Sequence, residues 1–402
     1  MPLPIRASVM NNSSSSRNNS QRSYVQQVVR DTLKRSGTKF GLFWIGILIF
    51  VSVFAPFLAS SHPLLIISNG HFNSPTLNYL TPGDTVLLVV FLSIILIHFT
   101  PFSGSIKITT FVFTFVTGLV LSYTFVSPPQ LTIYEQYREK LANQKQDWVL
   151  FAPIPYSPKD YLRDYGDTGL EAPLSESTRT HWFGTEENGG DVLSRMIHAS
   201  RIALGIGFVA TGISMVIGIF IGGLMGYFSG KVDMFGMRLV EIFEAIPTLF
   251  LLLTFVAFFG RSLYIMMVII GITSWPGFAR YIRAEFLRLR TQDFVQAAIA
   301  CGLPLHSILF RHMLPNGIAP LLVAASFGIA SAILAEATLS FLGLGLVGDP
   351  SWGQMLNQAV RSSNFNWWMA AFPGGAIFLT VFAYNLIGEA LRDAIDPYLK
   401  KS

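Results

Sequence analysis

Apolar residues in this chain gather in long unbroken runs set apart by short polar or basic segments, without the alternation or amphipathic spacing of a water-soluble core. About 20 apolar residues in a helix, rising ~1.5 Å each, cross a hydrocarbon layer ~30 Å thick. Runs of this kind are Phe40 to Ala59, Ile106 to Val126, Arg201 to Tyr227, Leu239 to Phe259, Leu263 to Arg280, Ile318 to Leu346 and Phe372 to Leu391. Thr85 to Phe99 is shorter, near the lower limit of ~17 residues, and reads either as a span or as a re-entrant or interfacial segment. The predicted fold is all-α, a polytopic transmembrane helix bundle.

The intervening segments divide the chain. Residues 1–39 are Ser/Asn-rich and carry Arg6, Arg17, Arg22, Arg30, Lys34 and Arg35 against Asp31, which predicts a disordered basic cytoplasmic tail. An organelle transit peptide has a similar composition and is the alternative. Residues 40–60 form a first span with no small-residue cleavage site after it. Residues 61–126 form an insertion holding two membrane segments around Pro101–Gly104, and 127–198 an extracytoplasmic polar lobe broken by prolines, with Trp148 to Tyr156 as a short strand. Residues 199–395 are the core bundle, with a cytoplasmic loop over 284–316. Because the inserted pair enters and leaves together, both termini and that loop fall on one side, the cytoplasm. Lys231 and Arg238 obey the excess of basic residues expected there, whereas Arg195 and Arg201 fall near the outer surface and go against it.

Composition sharpens the class. Hydrophobic residues make up 51% and charged residues 13%, against about 25% charged in an average soluble domain, so the chain is an integral membrane protein. The net charge of +5 follows from basic residues beside the spans and carries no argument for nucleic acid. One cysteine, Cys301, allows no internal disulfide.

The segment Asp293 to Pro315, DFVQAAIACGLPLHSILFRHMLP, breaks the apolar pattern. Its spacing predicts two short helices with a sharp corner. Phe294 to Cys301 is the first, Gly302 its left-handed terminator, Pro304 the start of the second, and Pro315 its stop. Arg280, Arg283, Arg288, Arg290 and Arg311 outnumber Glu285 and Asp293, the mark of a cytoplasmic surface. A rigid elbow in that place is a docking part.

These residues resemble the coupling loop of ATP-binding-cassette importer permeases of the type I kind, with Gln296-Ala297-Ala298, Gly302 and Leu314-Pro315 at the family's spacing and Gln296 in place of the usual Glu. GTEENGGDVLSRMIHASRIAL (Gly184 to Leu204), ILAEATLSFLGLGL (Ile333 to Leu346), PSWGQML (Pro350 to Leu356) and GEALRDAIDP (Gly388 to Pro397) extend the resemblance to the di- and oligopeptide branch, over roughly half the chain from Trp182 onward. It implies six family spans, to which the inserted pair is added. It also implies a homologous second permease subunit, two cytoplasmic ATPase subunits that bind the ATP, an extracytoplasmic substrate-binding protein, a peptide substrate and a bacterial inner membrane. By the resemblance, Asp293, Gln296, Ala297, Ala298, Gly302, Leu314 and Pro315 form the ATPase-coupling loop.

Other candidate chemistry is sparse. No Gly-x-x-x-x-Gly-Lys-Ser/Thr occurs, so ATP is not expected on this chain, and no cofactor or metal is expected either. The turn at Gly184, Gly189 and Gly190 lacks the Lys-Ser/Thr of a phosphate cradle and reads as structural. Ser194 and Ser340 lack a neighbouring His and Asp, and His306 and His312 read as surface residues, so no enzyme is predicted. A Gly-x-x-x-Gly spacing ending at Gly226 reads as packing within one bundle in preference to a subunit interface. Glu336 sits at membrane depth, as a structural hydrogen-bonding group or as part of the pathway, and Glu241 and Glu244 near the cytoplasmic end of a span. Trp352, Trp367 and Trp368 are expected at the outer interface. The competing reading is a self-sufficient secondary transporter or channel, for which no internal repeat is found.

Overall fold

The computed structural model describes residues 24–68, 71–101, 104–129, 132–142, 148–162, 169–175, 180–346 and 348–395. Much of the expected unstructured tail, and Pro397 of the last motif, lie outside these. Among the described residues, seven helices are long and apolar enough to cross a membrane, or eight counting one bent pair as a span.

In chain order, α1 (Tyr24–Lys34) falls within the stretch for which the sequence suggests no regular structure. The first span is α2 (Ser36–Val53), continued by the single turn α3 (Ala55–Leu58) at Pro56. The strands β1 (Leu65–Ser68) and β2 (His71–Asn73) and the turn α4 (Pro75–Asn78) lead to the inserted pair, α5 (Pro82–Phe99) and α6 (Gly104–Phe125). Helix α5 is 18 residues long because Thr81 and Asp84 close a reciprocal capping box at Pro82, adding a turn that the apolar run alone does not mark. Then come α7 (Gln136–Ala142) and β3 (Trp148–Leu150), which joins a small sheet of order β2-β1-β3, antiparallel throughout.

The core begins at α8 (Val192–Phe228), 37 residues long and capped by the Asp191 carboxylate on the Ser194 N–H at 2.7 Å. The apolar run Leu239 to Phe259 is not one straight span. It is α9 (Gly230–Ala245) and α10 (Thr248–Phe259), bent by 80°. Pro247 has no N–H for a continuing helix and pushes Ile246 to extended backbone (φ −88°, ψ 122°). Helix α11 (Leu263–Leu289) runs on past the predicted end at Arg280. After α12 (Asp293–Ala300) and α13 (Leu305–Ser307), a π-helical stretch Ile308–Met313 merges into α14 (Leu314–Leu339), which a second π-helical stretch extends to Leu344. Helices α15 (Trp352–Arg361) and α16 (Trp367–Ile395) close the fold.

Contacts fix the directions. A Cβ on Gly205 would meet Met267, on Gly218 Phe278, and on Gly226 Phe286, so α8 and α11 run parallel. The glycine stripe is thus internal packing between α8 and α11. At its tightest point, the Ala279 carbonyl occupies the space that a Gly222 side chain would need. Helix α2 runs antiparallel to α16, with Gly41 against Ala383 and Trp44 Nε1 donating to Thr380 at 3.1 Å. The described ends of the chain therefore share one end of the bundle with the 290–315 elbow. At the opposite end sits the lobe. There the Ala59–Ile154 bridge and the Ser194–Tyr156 bond (2.7 Å) tie it to the end of the first span and to α8, and the Trp352 Nε1 bond to the Met196 carbonyl (3.2 Å) ties α15 to α8. The inserted pair leaves and re-enters at this lobe end, where Asp84 meets Arg201 and Tyr123 meets Tyr264 (3.3 Å).

Of the three tryptophans, only Trp367 is open, at 55% exposure. Trp352 and Trp368 are buried at 2% and 9%. Trp368 Nε1 donates to the Thr185 carbonyl at 3.1 Å, so two of the expected interface anchors instead fasten loops to the core.

Candidate functional site: the elbow between α11 and α14

The elbow is built from its backbone. The Leu289 carbonyl accepts from Gln292 N–H (3.0 Å), ending α11, and Gln292 then accepts from Val295 and Gln296 to start α12. Asp293 lies in the first turn, where a carboxylate complements the helix dipole. At the other end, Gly302 N–H donates to Ile299 (2.9 Å) and Leu303 N–H to Ala298 (3.2 Å). Those two bonds with Gly302 at φ +70° make a Schellman stop, the left-handed terminator expected there. Pro304, at φ −67° and ψ 149°, caps the next turn and accepts from Ser307 and Ile308.

Pro315 does not stop the second helix. It sits in the first turn of α14, directly after the π-helical stretch, and the helix runs on through it from Leu305 until Gly343 turns left-handed (φ 84°). A proline at a helix start loses no hydrogen bond, and the wider π turn before it leaves room for the ring.

One side of α12 is fixed. Val295 and Ala298 are buried with Phe286, Leu289, Ile308, Leu309 and Met313 in one apolar cluster. The other side is open: Asp293, Gln296, Ala297 and Ala300 are exposed, with Phe294 at 40%, Ile299 at 41% and Leu303 at 36%. Leu314 is half-buried and Pro315 exposed. Apart from the Gln296 side chain, which donates through Nε2 to the Arg290 carbonyl at 2.7 Å, this face makes no side-chain hydrogen bond among the described residues. That bond ties α12 to the last carbonyls of α11, a role that the sequence does not announce.

Ion pairs brace the same end. Arg283 grips Asp233 of α9 with two bonds, one of 2.6 Å, and Arg280 pairs with Glu244. Arg238 pairs with Glu241 at 2.5 Å and Arg288 with Glu285. Glu241 and Glu244 are thus spoken for by arginines at the elbow end. His306 is exposed and His312 half-buried.

Above the elbow, a cleft of about 270 Å³ opens between α8, α11 and α14, lined by Thr211, Ser214, Ser274, Phe278, Tyr281 and Ser331 among others. Glu336 is not in it. It is 1% exposed and accepts from Ser340 Oγ at 2.5 Å and from the Ser351 hydroxyl, joining α14 to the start of α15. The Gly184–Gly190 turn is also structural. Glu186 N–H and the Gly190 carbonyl close it at 2.9 Å, and Arg195 donates to Glu186 across 2.9 Å, both side chains 4% exposed.

Known proteins resemble this chain in sequence. The model of the binding-protein-dependent transport system inner membrane component family matches residues 218–401. A dipeptide transport system permease protein of Alkalihalophilus pseudofirmus is 36% identical over 286 residues, 69% of this chain and 92% of that protein. An oligopeptide transport system permease protein of Haemophilus influenzae is 39% identical over 249 residues, 61% of this chain and 78% of its own. A methionine ABC transporter in inward-facing form overlaps 50% of this chain and 96% of that one, at 19% identity and a TM-score of 0.43. The chain is a membrane-embedded transport component and belongs to the binding-protein-dependent transport system inner membrane component family.

Proposed function

We propose that this chain is the permease subunit of an ATP-driven importer that moves di- or oligopeptides into a bacterial cytoplasm through the inner membrane. The observation that carries this is the elbow: a short helix locked on one side into the core and exposed on the other, where small alanines stand beside apolar side chains. Asp293, Gln296, Ala297, Ala298, Gly302, Leu314 and Pro315 are its working residues. Ala297 and Ala300 leave room for a groove on an ATPase, and Phe294, Ile299 and Leu303 supply apolar area to bury there. Two such ATPases hold the ATP, and this chain holds no cofactor. A homologous second permease faces the cleft, and a binding protein delivers peptide on the lobe side. ATP-driven closure shifts a two-state equilibrium between cleft-open forms through the elbow. Both termini are cytoplasmic, residues 61–198 form an insertion and outer lobe around the inserted pair, and 199–395 are the core. Glu336 acts as a structural bridge.

Ala297→Arg tests the reading. It drives a long charged side chain into the proposed contact, so the assembly should lose co-purifying ATPase and peptide-stimulated ATP hydrolysis while the chain still inserts. Normal co-purification and transport would make the elbow an ordinary loop, and ATP-independent uptake by the chain alone would replace the reading with a secondary transporter. Orientation is tested by Phe72→Cys in a Cys301→Ser background, since Phe72 is 77% exposed on the lobe. Intact spheroplasts should label with an impermeant thiol reagent. Labelling only after rupture would invert the topology.

A further inference from the structure

Helix α1 presents three different faces. Val28 and Thr32 are buried, and the contacts of α1 lie chiefly with the end of α16, where Arg35 also pairs with Asp393 at 2.5 Å. Val29 and Leu33, four residues apart, form an apolar stripe left 48% and 43% exposed. Beside it, Arg30 and Lys34 form a basic stripe, and Lys39 follows, also exposed. Acidic groups nearby are few: Asp31 contacts Lys34 at 3.4 Å and Asp393 is taken by Arg35.

Depth is set by the span that follows. Phe40, Leu42 and Phe43 are 43%, 43% and 68% exposed and begin the lipid-facing surface of α2. From Ser36, just after the extended Arg35 (φ −73°, ψ 134°), to Phe40 the helix α2 rises ~6 Å, about the thickness of a headgroup layer. A helix at that level with an apolar stripe beside a basic one has the pattern of an interfacial helix.

We infer that α1 lies in the membrane interface, seats Val29 and Leu33 at the boundary of the acyl chains, and holds anionic phospholipid headgroups through Arg30, Lys34 and Lys39. Basic side chains at an anionic surface attract its phosphates, while zwitterionic headgroups offer no net charge. Because the opposite face of α1 grips α16, the bound lipid also steadies the end of the last span.

The test uses the full chain in its assembly, in nanodiscs of phosphatidylcholine with or without phosphatidylglycerol. Nanodiscs expose both membrane faces, so the result does not depend on the orientation proposed above, nor on whether transport is coupled to ATPases. Arg30→Gln and Lys34→Gln should each lower retention of phosphatidylglycerol in native mass spectrometry about fivefold, leaving phosphatidylcholine unchanged. A dye at Leu33→Cys in the Cys301→Ser background should be shielded from an aqueous quencher, more so with phosphatidylglycerol, and a dye at Arg30→Cys less so. Equal retention by the variants, or equal quenching at both positions, overturns the proposal. So does shielding that needs the ATPase subunits and ignores the lipid, which would make α1 a protein-docking face.

Discussion

Arg201, on the lobe end of α8, is held by Asp84 in the first turn of α5, with only 18% and 7% of the two side chains exposed. Arg201 also donates through Nε to the Ser52 carbonyl at 2.5 Å and through Nη2 to Val53 at 3.3 Å, so three helices meet on one guanidinium. This pair and Arg195–Glu186 give a carboxylate partner to each of the two arginines that run against the expected charge bias. Each is neutralised by a buried carboxylate distant in sequence or set in a turn.

Removing one partner strands the other. Asp84→Leu or Arg201→Met should each cost ~3–5 kcal/mol of local stability, whereas the double change Asp84→Leu with Arg201→Met should cost less than the sum of the two. A double-mutant cycle read by proteolysis of the α5–α6 connection measures this. Additive losses would mean that the pair does not hold the hairpin.

Gly222 and Gly212 share α8 but not its surroundings. Gly222→Ala should lower the thermal stability of the purified protein strongly, because its Cβ would strike the Ala279 backbone, which cannot move aside cheaply. Gly212→Ala meets nothing within 4 Å and should gain up to ~1 kcal/mol in helix propensity. Equal melting shifts for the two would undo the close-packed α8–α11 contact.

At the elbow, a Cβ on Gly302 would meet nothing within 4 Å, so the constraint there is φ alone. Gly302→Val should lose transport while the chain accumulates, at a backbone cost of ~1–3 kcal/mol; Gly302→Asn should retain much of it, since Asn tolerates this region better. Gln296→Glu replaces the amide that donates to Arg290 with a carboxylate that cannot, and should loosen the 290–296 turn by ~1 kcal/mol. Amide exchange over that turn measures it, and unchanged exchange would show that the bond is dispensable.

The lobe should weaken in acid. His62 is 3% exposed and stacks on Tyr79 at 3.7 Å. Burial lowers its pKa from 6.5 to about 4, with Asp160 opposing and Arg138 adding. The folded lobe therefore keeps His62 neutral while an unfolded chain takes up the proton, so stability is full above 6.5 and falls as pH drops toward about 4. Glu186, raised by burial, acts in the opposite sense. His62→Phe should flatten the pH dependence of lobe proteolysis; an unchanged slope would assign it to other groups.

How much of this can be read from sequence varies with the interaction. Apolar runs announce the long helices because lipid demands length and hydrophobicity together. Gly302 is legible because the left-handed stop between Ile299 and Leu303 favours glycine. The bend at Ile246-Pro247 hides inside a continuous apolar run, and Pro315 looks like a stop unless the π turn before it is known. Helix α1 is short and polar, so its order depends on α16, hundreds of residues away. Arg201 gives no local hint of Asp84, because only the fold brings the inserted pair against α8.

The helix from Leu305 to Leu342, ahead of the left-handed Gly343, is a rod of roughly 57 Å. Pro320 lies within it without breaking it. A rod pivoting near its middle works as a lever: a push on the elbow swings the far tip by a similar amount the other way. Gly343, at φ +84°, ends the rod at that tip, and Glu336 fastens it to α15 just before. The same stroke that draws the elbow one way would thus carry the lobe end of the helix in the opposite direction, with no relay of intermediate residues required.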